Sequence, residues 1–139
     1  MSYAKPLGTS IFFVNANSEI LLLLRDNIPQ MKFPNMWDLP GGNLENGETP
    51  TECITREIEE EFSIQIHNFK LFEVRDFPDR LEYTFWQFAD FDIQKIKLTE
   101  GQRLAWFSEK KVKLTKLAFE FNVTVNSFFE KAPFKSRPI

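Results

Sequence analysis

The sequence predicts an α/β fold in which a central mixed β-sheet lies between helices, as an α/β/α sandwich. Aliphatic runs of strand length near the N-terminus, aromatic-rich segments in the second half and apolar residues repeated at helical spacing support this prediction. They give the order β-β-α-β-β-β-α, with the helices on opposite sides of the sheet. The 139 residues suit one domain, spanning 1–139.

The first half is predicted to hold two strands and a long loop. Residues 8–14 (GTSIFFV) and 19–25 (EILLLLR) are joined by the turn-forming residues 15–18 (NANS). The aliphatic continuity of both strands indicates burial on both faces. Residues 26–40 contain three prolines and are predicted to form a loop.

A helix is predicted to follow this loop. Thr49 and Glu52 have the spacing of a capping box, and Pro50 occupies the first helical position. Apolar residues then recur with a spacing of four and mark the side that packs on the sheet: Ile54, Ile58 and Phe62.

The second half is predicted to add three strands and a second long helix. Residues 68–75 and 81–89 are rich in aromatic and β-branched residues, and residues 76–80 suit a hairpin turn centred on Pro-Asp. Residues 104–108 form a short strand. Apolar residues at helical spacing indicate the final helix: Leu117, Phe121, Val125 and Phe128.

Three glutamates of the first helix are predicted to share one face. With Glu57 at 0°, Glu60 falls at about −60° and Glu61 at about +40°, whereas Glu59 points away. Three carboxylates within this arc repel one another at neutral pH. An exposed, solvated acidic face is one interpretation, and a hard divalent cation with oxygen ligands is the other.

The residues beside the acidic face favour the cation. Gly41 and Gly42 precede the helix, and paired glycines let a backbone approach a ligand closely. Arg56 adjoins the acidic arc and can hold carboxylates through paired hydrogen bonds. Glu48 is a candidate partner for Arg56 or for the metal.

Residues 42–64 resemble the Nudix box, GX5EX7REUXEEXGU, in which U is a bulky aliphatic residue. Gly42, Glu48 and residues 56–61 match its defined positions, and Ser63 replaces the glycine that ends the helix in the family. With about eight defined positions at fixed spacing, the match is highly specific. The Nudix fold is also an α/β/α sandwich, in agreement with the predicted element order.

The resemblance implies a metal site and a reaction. Mg²⁺ or Mn²⁺ would be held by Glu57, Glu60, Glu61 and the backbone carbonyl of Gly42, and would polarise a pyrophosphate and acidify a water. The general base stays open between Glu57 and a glutamate in a downstream loop. The expected catalytic residues are Glu57, Glu60, Arg56 and the downstream Glu100.

Segments outside the box resemble MutT-like members of the family: residues 19–25, 71–73, 77–80 and 100–106. This resemblance implies that Glu100 lies near the metal, that Arg25 and Arg80 contact the nucleotide, and that Phe77 stacks on the base. Asn122 lies one residue away from the position at which MutT-like members carry an asparagine that contacts the purine base. Glu48 completes the expected substrate site.

These substrate residues also have simpler interpretations. Arg25 can end a strand in solvent, and Phe77 with Arg80 can serve only the hairpin. Glu100, beside Gly101, can be a turn residue.

Composition limits the partners and the location. A net charge of −3 argues against binding polymeric nucleic acid. The single Cys53 excludes an internal disulfide, and one cysteine with one histidine argues against structural zinc. Since no signal peptide or apolar run of membrane-spanning length is visible, we expect a cytoplasmic protein, monomeric or homodimeric, without membrane contact.

The function predicted from the sequence is Mg²⁺-dependent hydrolysis of a nucleoside triphosphate, canonical or oxidised, to monophosphate and pyrophosphate. An alternative substrate is ADP-ribose, a nucleotide sugar or a dinucleoside polyphosphate. Only seven residues precede the first predicted strand, and ADP-ribose hydrolases of the family usually have a longer N-terminal region. A non-catalytic nucleotide sensor is the third possibility, but such domains tend to lose box carboxylates, which are all present here.

Overall fold

The structure, a computed structural model, describes residues 5–135. Seven strands form one sheet: β1 (Leu7–Val14), β2 (Ile20–Leu24), β3 (Trp37–Asp38), β4 (Gly41–Asn43), β5 (Lys70–Phe77), β6 (Arg80–Phe88) and β7 (Arg103–Phe107). The helices are α1 (Pro50–Phe62), α2 (Glu109–Lys113) and α3 (Phe121–Lys131), and short 3₁₀ turns span Ile93–Lys95, Ala118–Glu120 and Pro133–Lys135.

Strand β1 organises the sheet. It runs parallel to β6, with partners from Leu7↔Leu81 to Val14↔Phe88, and antiparallel to β2 and β4. Strand β2 pairs with β3 and β7, and β5 extends the other side beyond β6. All of β1 except Leu7 is buried, as expected for a strand covered on both faces.

Two apolar clusters cover the opposite faces of this sheet. Ile11 and Phe13 of β1 pack with the apolar stripe of α1. Phe12 points the other way and stacks on Phe128 of α3, with ring centroids 4.0 Å apart. The alternation along β1 therefore places α1 and α3 on opposite sides, which confirms the predicted sandwich around a mixed sheet.

One short strand, β3, lies within the predicted loop 26–40, and a second, β4, directly follows that loop. Strand β3 pairs with β2, and β4 pairs with β1. Gly41 has φ of 151°, and a Cβ there would collide with the backbone of Thr9. Glycine thus permits the close approach of β4 to β1. Strands of two or three residues carry no periodicity, so the sequence pattern did not indicate them.

The hairpin between β5 and β6 is tighter than the predicted turn 76–80. The strands extend to Phe77 and Arg80, which are paired in register, and only Pro78 and Asp79 lie between them. The hairpin therefore fixes Phe77 and Arg80 relative to each other.

The C-terminal helix also begins later than predicted. Phe119 and Glu120 adopt left-handed conformations, with φ of 56° and 60°, and interrupt the helical path, so α3 begins at Phe121. The unpredicted α2 begins after Ser108, whose side chain accepts a hydrogen bond from Lys111 N. Across residues 5–135, every helix falls short of the length and apolar content that crossing a membrane requires.

Candidate functional site

The capping box fixes the start of α1. Thr49 Oγ1 accepts a hydrogen bond from Glu52 N at 3.2 Å, and Glu52 Oε1 accepts one from Thr49 N at 2.9 Å. At the other end, Ser63 adopts a left-handed conformation (φ 57°, ψ 35°), and its N–H donates to Glu59 O. Ser63 thus ends the helix with the backbone geometry that favours glycine.

Arg56 is the centre of the ionic network on α1. Its Nε and Nη2 donate to the two carboxylate oxygens of Glu48 at 2.6 and 3.0 Å. Its Nη1 donates to Glu57 at 2.9 Å and to Glu60 at 3.2 Å, while Nη2 also donates to Asn43 O. These hydrogen bonds hold the pKa of Glu48 at about 2. Glu48 therefore serves as the anchor of Arg56.

Glu57 and Glu61 form a proton-sharing pair on the inner side of α1. Burial, followed by the charge of Glu57, raises the pKa of Glu61 to about 9. Burial also raises the pKa of Glu57, although Arg56 acts in the opposite direction. These raised pKa values favour a protonated Glu61 that donates to the Glu57 carboxylate in the metal-free protein, which would relieve the repulsion between two close acids.

The backbone of Gly42 lies directly against Glu57. A Cβ on Gly42 would collide with the carboxyl group of Glu57, so only glycine leaves room for that side chain. The Gly42 carbonyl accepts a hydrogen bond from Thr9 Oγ1 at 2.9 Å. The backbone of Gly42 and the carboxyl group of Glu57 therefore lie next to each other, and carbonyl and carboxylate oxygens are the donor type that hard divalent cations take.

The downstream loop reaches the same part of α1. Thr99 Oγ1 donates to Glu60 O at 3.1 Å, and the charge of Glu100 contributes to the raised pKa of Glu61. The structure thus brings Glu100 towards the acidic cluster. Within residues 5–135, no set of three or more Asp, Glu, His or Cys side chains is arranged to hold a metal ion. Arg56 instead holds Glu57 and Glu60.

A cavity of about 220 Å³ lies beside the acidic cluster. Its lining comes from five separate parts of the chain: Thr9, Arg25, Asp38, Leu39, Gly41, Gly42, Asn43, Arg80, Glu82, Phe119 and Phe121. Gly42 both lines the cavity and contacts Glu57, so the cavity and the carboxylates are adjacent.

Both predicted substrate arginines line this cavity, but each is already engaged within the protein. Arg25 donates from Nη1 to Asp38 Oδ2 at 3.1 Å, and from Nε and Nη2 to Lys32 O. Arg80 donates to Glu82, Asp79 and Phe119 O. Their guanidinium groups therefore shape the wall of the cavity.

Phe77 and Asn122 lie outside the residues that line the cavity. Phe77 is 5% exposed, and Arg80 stacks on its ring with Cζ 4.1 Å from the centroid, so Phe77 supports Arg80. Asn122 Oδ1 accepts from Leu117 N, and its Nδ2 donates to Thr115 O. Contrary to the expectation of a base-reading amide, Asn122 holds the turn before α3.

Sequence reasoning missed other cavity residues, chiefly Asp38, Glu82, Phe119 and Phe121. Asp38 is an acidic residue within the mainly apolar residues 36–40, and this could have indicated a functional role. Glu82 in the strand 81–89 offered a similar one. Phe119 had no signal, since its position depends on the left-handed turn before α3.

The NUDIX domain sequence profile matches residues 4–126, most of the chain, and the protein therefore belongs to the Nudix family. Among its relatives, 8-oxo-dGTP diphosphatase of Escherichia coli (strain K12) is 40% identical over 97 residues, covering 68% of this chain and 73% of the relative. ADP-ribose pyrophosphatase of Methanocaldococcus jannaschii is 39% identical over 78 residues, covering 56% and 44%.

The fold agrees with solved structures. The crystal structure of a MutT protein from Methanosarcina mazei Go1 has a TM-score of 0.76, with 21% identity and coverage of 96% of this chain and 99% of that one. The family match and these relatives identify an enzyme, a MutT-like Nudix hydrolase.

Proposed function

We propose that this protein is a Mg²⁺-dependent pyrophosphohydrolase that cleaves a nucleoside triphosphate, canonical or oxidised, to a monophosphate and pyrophosphate. The position of Gly42 carries this proposal. Its backbone lines the cavity and abuts Glu57, so a nucleoside in the cavity would direct its phosphates towards the carboxylates. The similarity to an 8-oxo-dGTP diphosphatase supports a nucleoside triphosphate as the substrate.

Glu57, Glu60, Glu61, Glu100 and the carbonyl of Gly42 would hold Mg²⁺ or Mn²⁺. The bound ion would polarise the pyrophosphate and lower the pKa of a water. For this, Glu61 must release the proton that it shares with Glu57, since metal ligands act in their ionised form. Arg56 reduces the repulsion among the carboxylates and orients Glu57 and Glu60.

The proton of the attacking water would pass to a carboxylate, and both Glu57 and Glu100 suit this role. Arg25 and Arg80 would contribute positive potential to the cavity while their own hydrogen bonds keep them fixed. We also propose a cytoplasmic location, supported by the single buried Cys53 in a chain with no other cysteine.

A substrate panel with three forms of the protein tests this function. Wild type, Glu60→Gln and Glu59→Gln would be given dGTP, 8-oxo-dGTP, ADP-ribose, a sugar nucleotide and a dinucleoside polyphosphate, with Mg²⁺ or with EDTA. We expect pyrophosphate from the triphosphates, loss of activity with EDTA, and a decrease in kcat of about 100-fold or more for Glu60→Gln.

Glu59→Gln is the matched control because Glu59 is exposed and, among residues 5–135, its side chain makes one long hydrogen bond, from Gln65 at 3.4 Å. Its kcat should equal that of the wild type. Turnover of ADP-ribose without turnover of any triphosphate would refute the proposed substrate class. Binding of nucleotides without any turnover would instead indicate a sensor.

A further inference from the structure

Asp38 is a buried carboxyl group with incomplete hydrogen bonding. It lies in β3, is 7% exposed and lines the cavity. Its Oδ2 accepts from Arg25, whereas Oδ1 is buried without a hydrogen-bond partner. Within residues 5–135, only Thr124 has another such side-chain atom. A buried carboxylate oxygen without a partner costs free energy, and native proteins rarely retain one without a functional reason.

Two other polar side chains of the cavity, those of Glu82 and Thr9, already have partners. Glu82 accepts from Arg80 Nε at 2.7 Å, and Thr9 Oγ1 donates to Gly42 O. Burial raises the pKa of Asp38 to about 7, although Arg25 and, to a smaller extent, the backbone N–H of Leu39 act in the opposite direction. Arg25 thus compensates only part of the cost of burying this carboxyl group. A donor supplied by a ligand would complete its hydrogen bonding.

Aromatic rings form other parts of the cavity wall. Phe119 lies beside both arginines, with its ring centroid 4.9 Å from Arg25 Cζ and 5.6 Å from Arg80 Cζ. Phe33 packs edge-on against it at 4.8 Å, and Phe121 also lines the cavity. Aromatic walls with a few polar groups are typical of pockets that bind a planar heterocycle.

We propose that Asp38 determines base specificity by accepting hydrogen bonds at Oδ1 from the amino and ring N–H groups of a guanine-type base. This inference rests on the proposed nucleotide hydrolase function and adds a base-reading residue to it. The carboxyl group would turn about its Cβ–Cγ bond to face the base, which is a soft torsion. Because Oδ2 stays with Arg25, the two lone pairs of Oδ1 would accept from the two adjacent N–H groups of the base.

Calorimetric binding of nucleoside monophosphates without metal tests this role separately from catalysis. The probes are dGMP and dIMP, which differ only in the exocyclic amino group. The proteins are wild type, Asp38→Asn and Glu73→Gln. The amide of Asp38→Asn can accept from Arg25 through Oδ1 and would then present an N–H donor to the cavity, which reverses the polarity offered to the base.

We expect wild type to bind dGMP at least about tenfold more tightly than dIMP, as a charge-assisted hydrogen bond provides. In Asp38→Asn the ratio should fall to about one. Glu73→Gln is the matched control, because Glu73 is also a shielded, arginine-paired acid, with an 11% exposed side chain, and lies outside the cavity lining. It should keep the wild-type ratio.

Equal affinity of wild type for dGMP and dIMP would overturn the proposal without any variant. An unchanged ratio in Asp38→Asn would overturn it as well. If the wild type still hydrolyses nucleoside triphosphates, these results leave the proposed function in place. If no nucleotide is bound or hydrolysed, the inference fails together with the function.

Discussion

Replacing Glu61 by glutamine should stabilise the metal-free protein. The pKa of Glu61 is raised from 4.5 to about 9, mainly by burial and then by Glu57. The folded state therefore holds a proton at pH 7, whereas the unfolded chain is ionised. In Glu61→Gln no proton uptake is needed, and the amide Nε2 can still donate to Glu57.

The magnitude follows from the ordinary pKa of glutamate. Protonating a carboxyl group with a pKa of 4.5 at pH 7 costs about 3 kcal/mol, which is the largest gain expected for Glu61→Gln. At low pH the unfolded wild type is protonated as well, so folding requires no proton uptake by Glu61. The stability gained by Glu61→Gln should therefore shrink as the pH falls and vanish below about pH 4.5.

Urea unfolding in EDTA, at pH 7 and at about pH 4.5, measures this difference. Glu59→Gln is the control, since Glu59 is exposed on the other side of α1. Added Mg²⁺ should stabilise wild type more than Glu61→Gln, because the variant lacks one proposed ligand. If Glu61→Gln at pH 7 in EDTA is no more stable than Glu59→Gln, the proton-sharing pair is refuted.

Other variants test separate parts of the structure. Asp38→Asn should become more stable relative to wild type as the pH rises from 4 to about 7, by up to about 4 kcal/mol, because folded wild type keeps on Asp38 a proton that the unfolded chain has lost; the difference should level off above pH 7, and urea unfolding at pH 4, 7 and 8 checks this. Ser63→Gly should raise stability by about 1 kcal/mol, measured by thermal unfolding, since glycine adopts the left-handed conformation without strain; an equal or lower Tm would contradict this. Arg56→Lys should lower the free energy of unfolding by about 2 kcal/mol in urea, because an ammonium cannot keep the paired contact with Glu48 while reaching Glu57; full stability would show that one of these contacts suffices.

The features predicted from the sequence were those encoded locally. The capping box at Thr49 and the apolar stripe of α1 follow from neighbouring residues, and both are confirmed. The box carboxylates have fixed spacing on one helix, so their shared location could be predicted before their hydrogen bonds were known.

The cavity could not be predicted in the same way. Arg25, Asp38, Arg80 and Phe119 meet only because distant strands pair and because two consecutive residues before α3 turn left-handed without a glycine to indicate it. Periodicity assigned residues 117–128 to one helix. For this reason the periodicity did not predict the turn that Asn122 stabilises, nor the position of Phe119 and Phe121 in the cavity wall.

The parallel pairing of β1 with β6 has a consequence for how the chain acquires its structure. Ser10 and Thr84 join these strands through their hydroxyl groups although 74 positions separate them. Closing so long a loop has a high entropic cost before any contact offsets it, which slows folding. During synthesis, β1 must therefore wait for β6 to leave the ribosome, while α1 can already form its first turns beside an unfinished sheet.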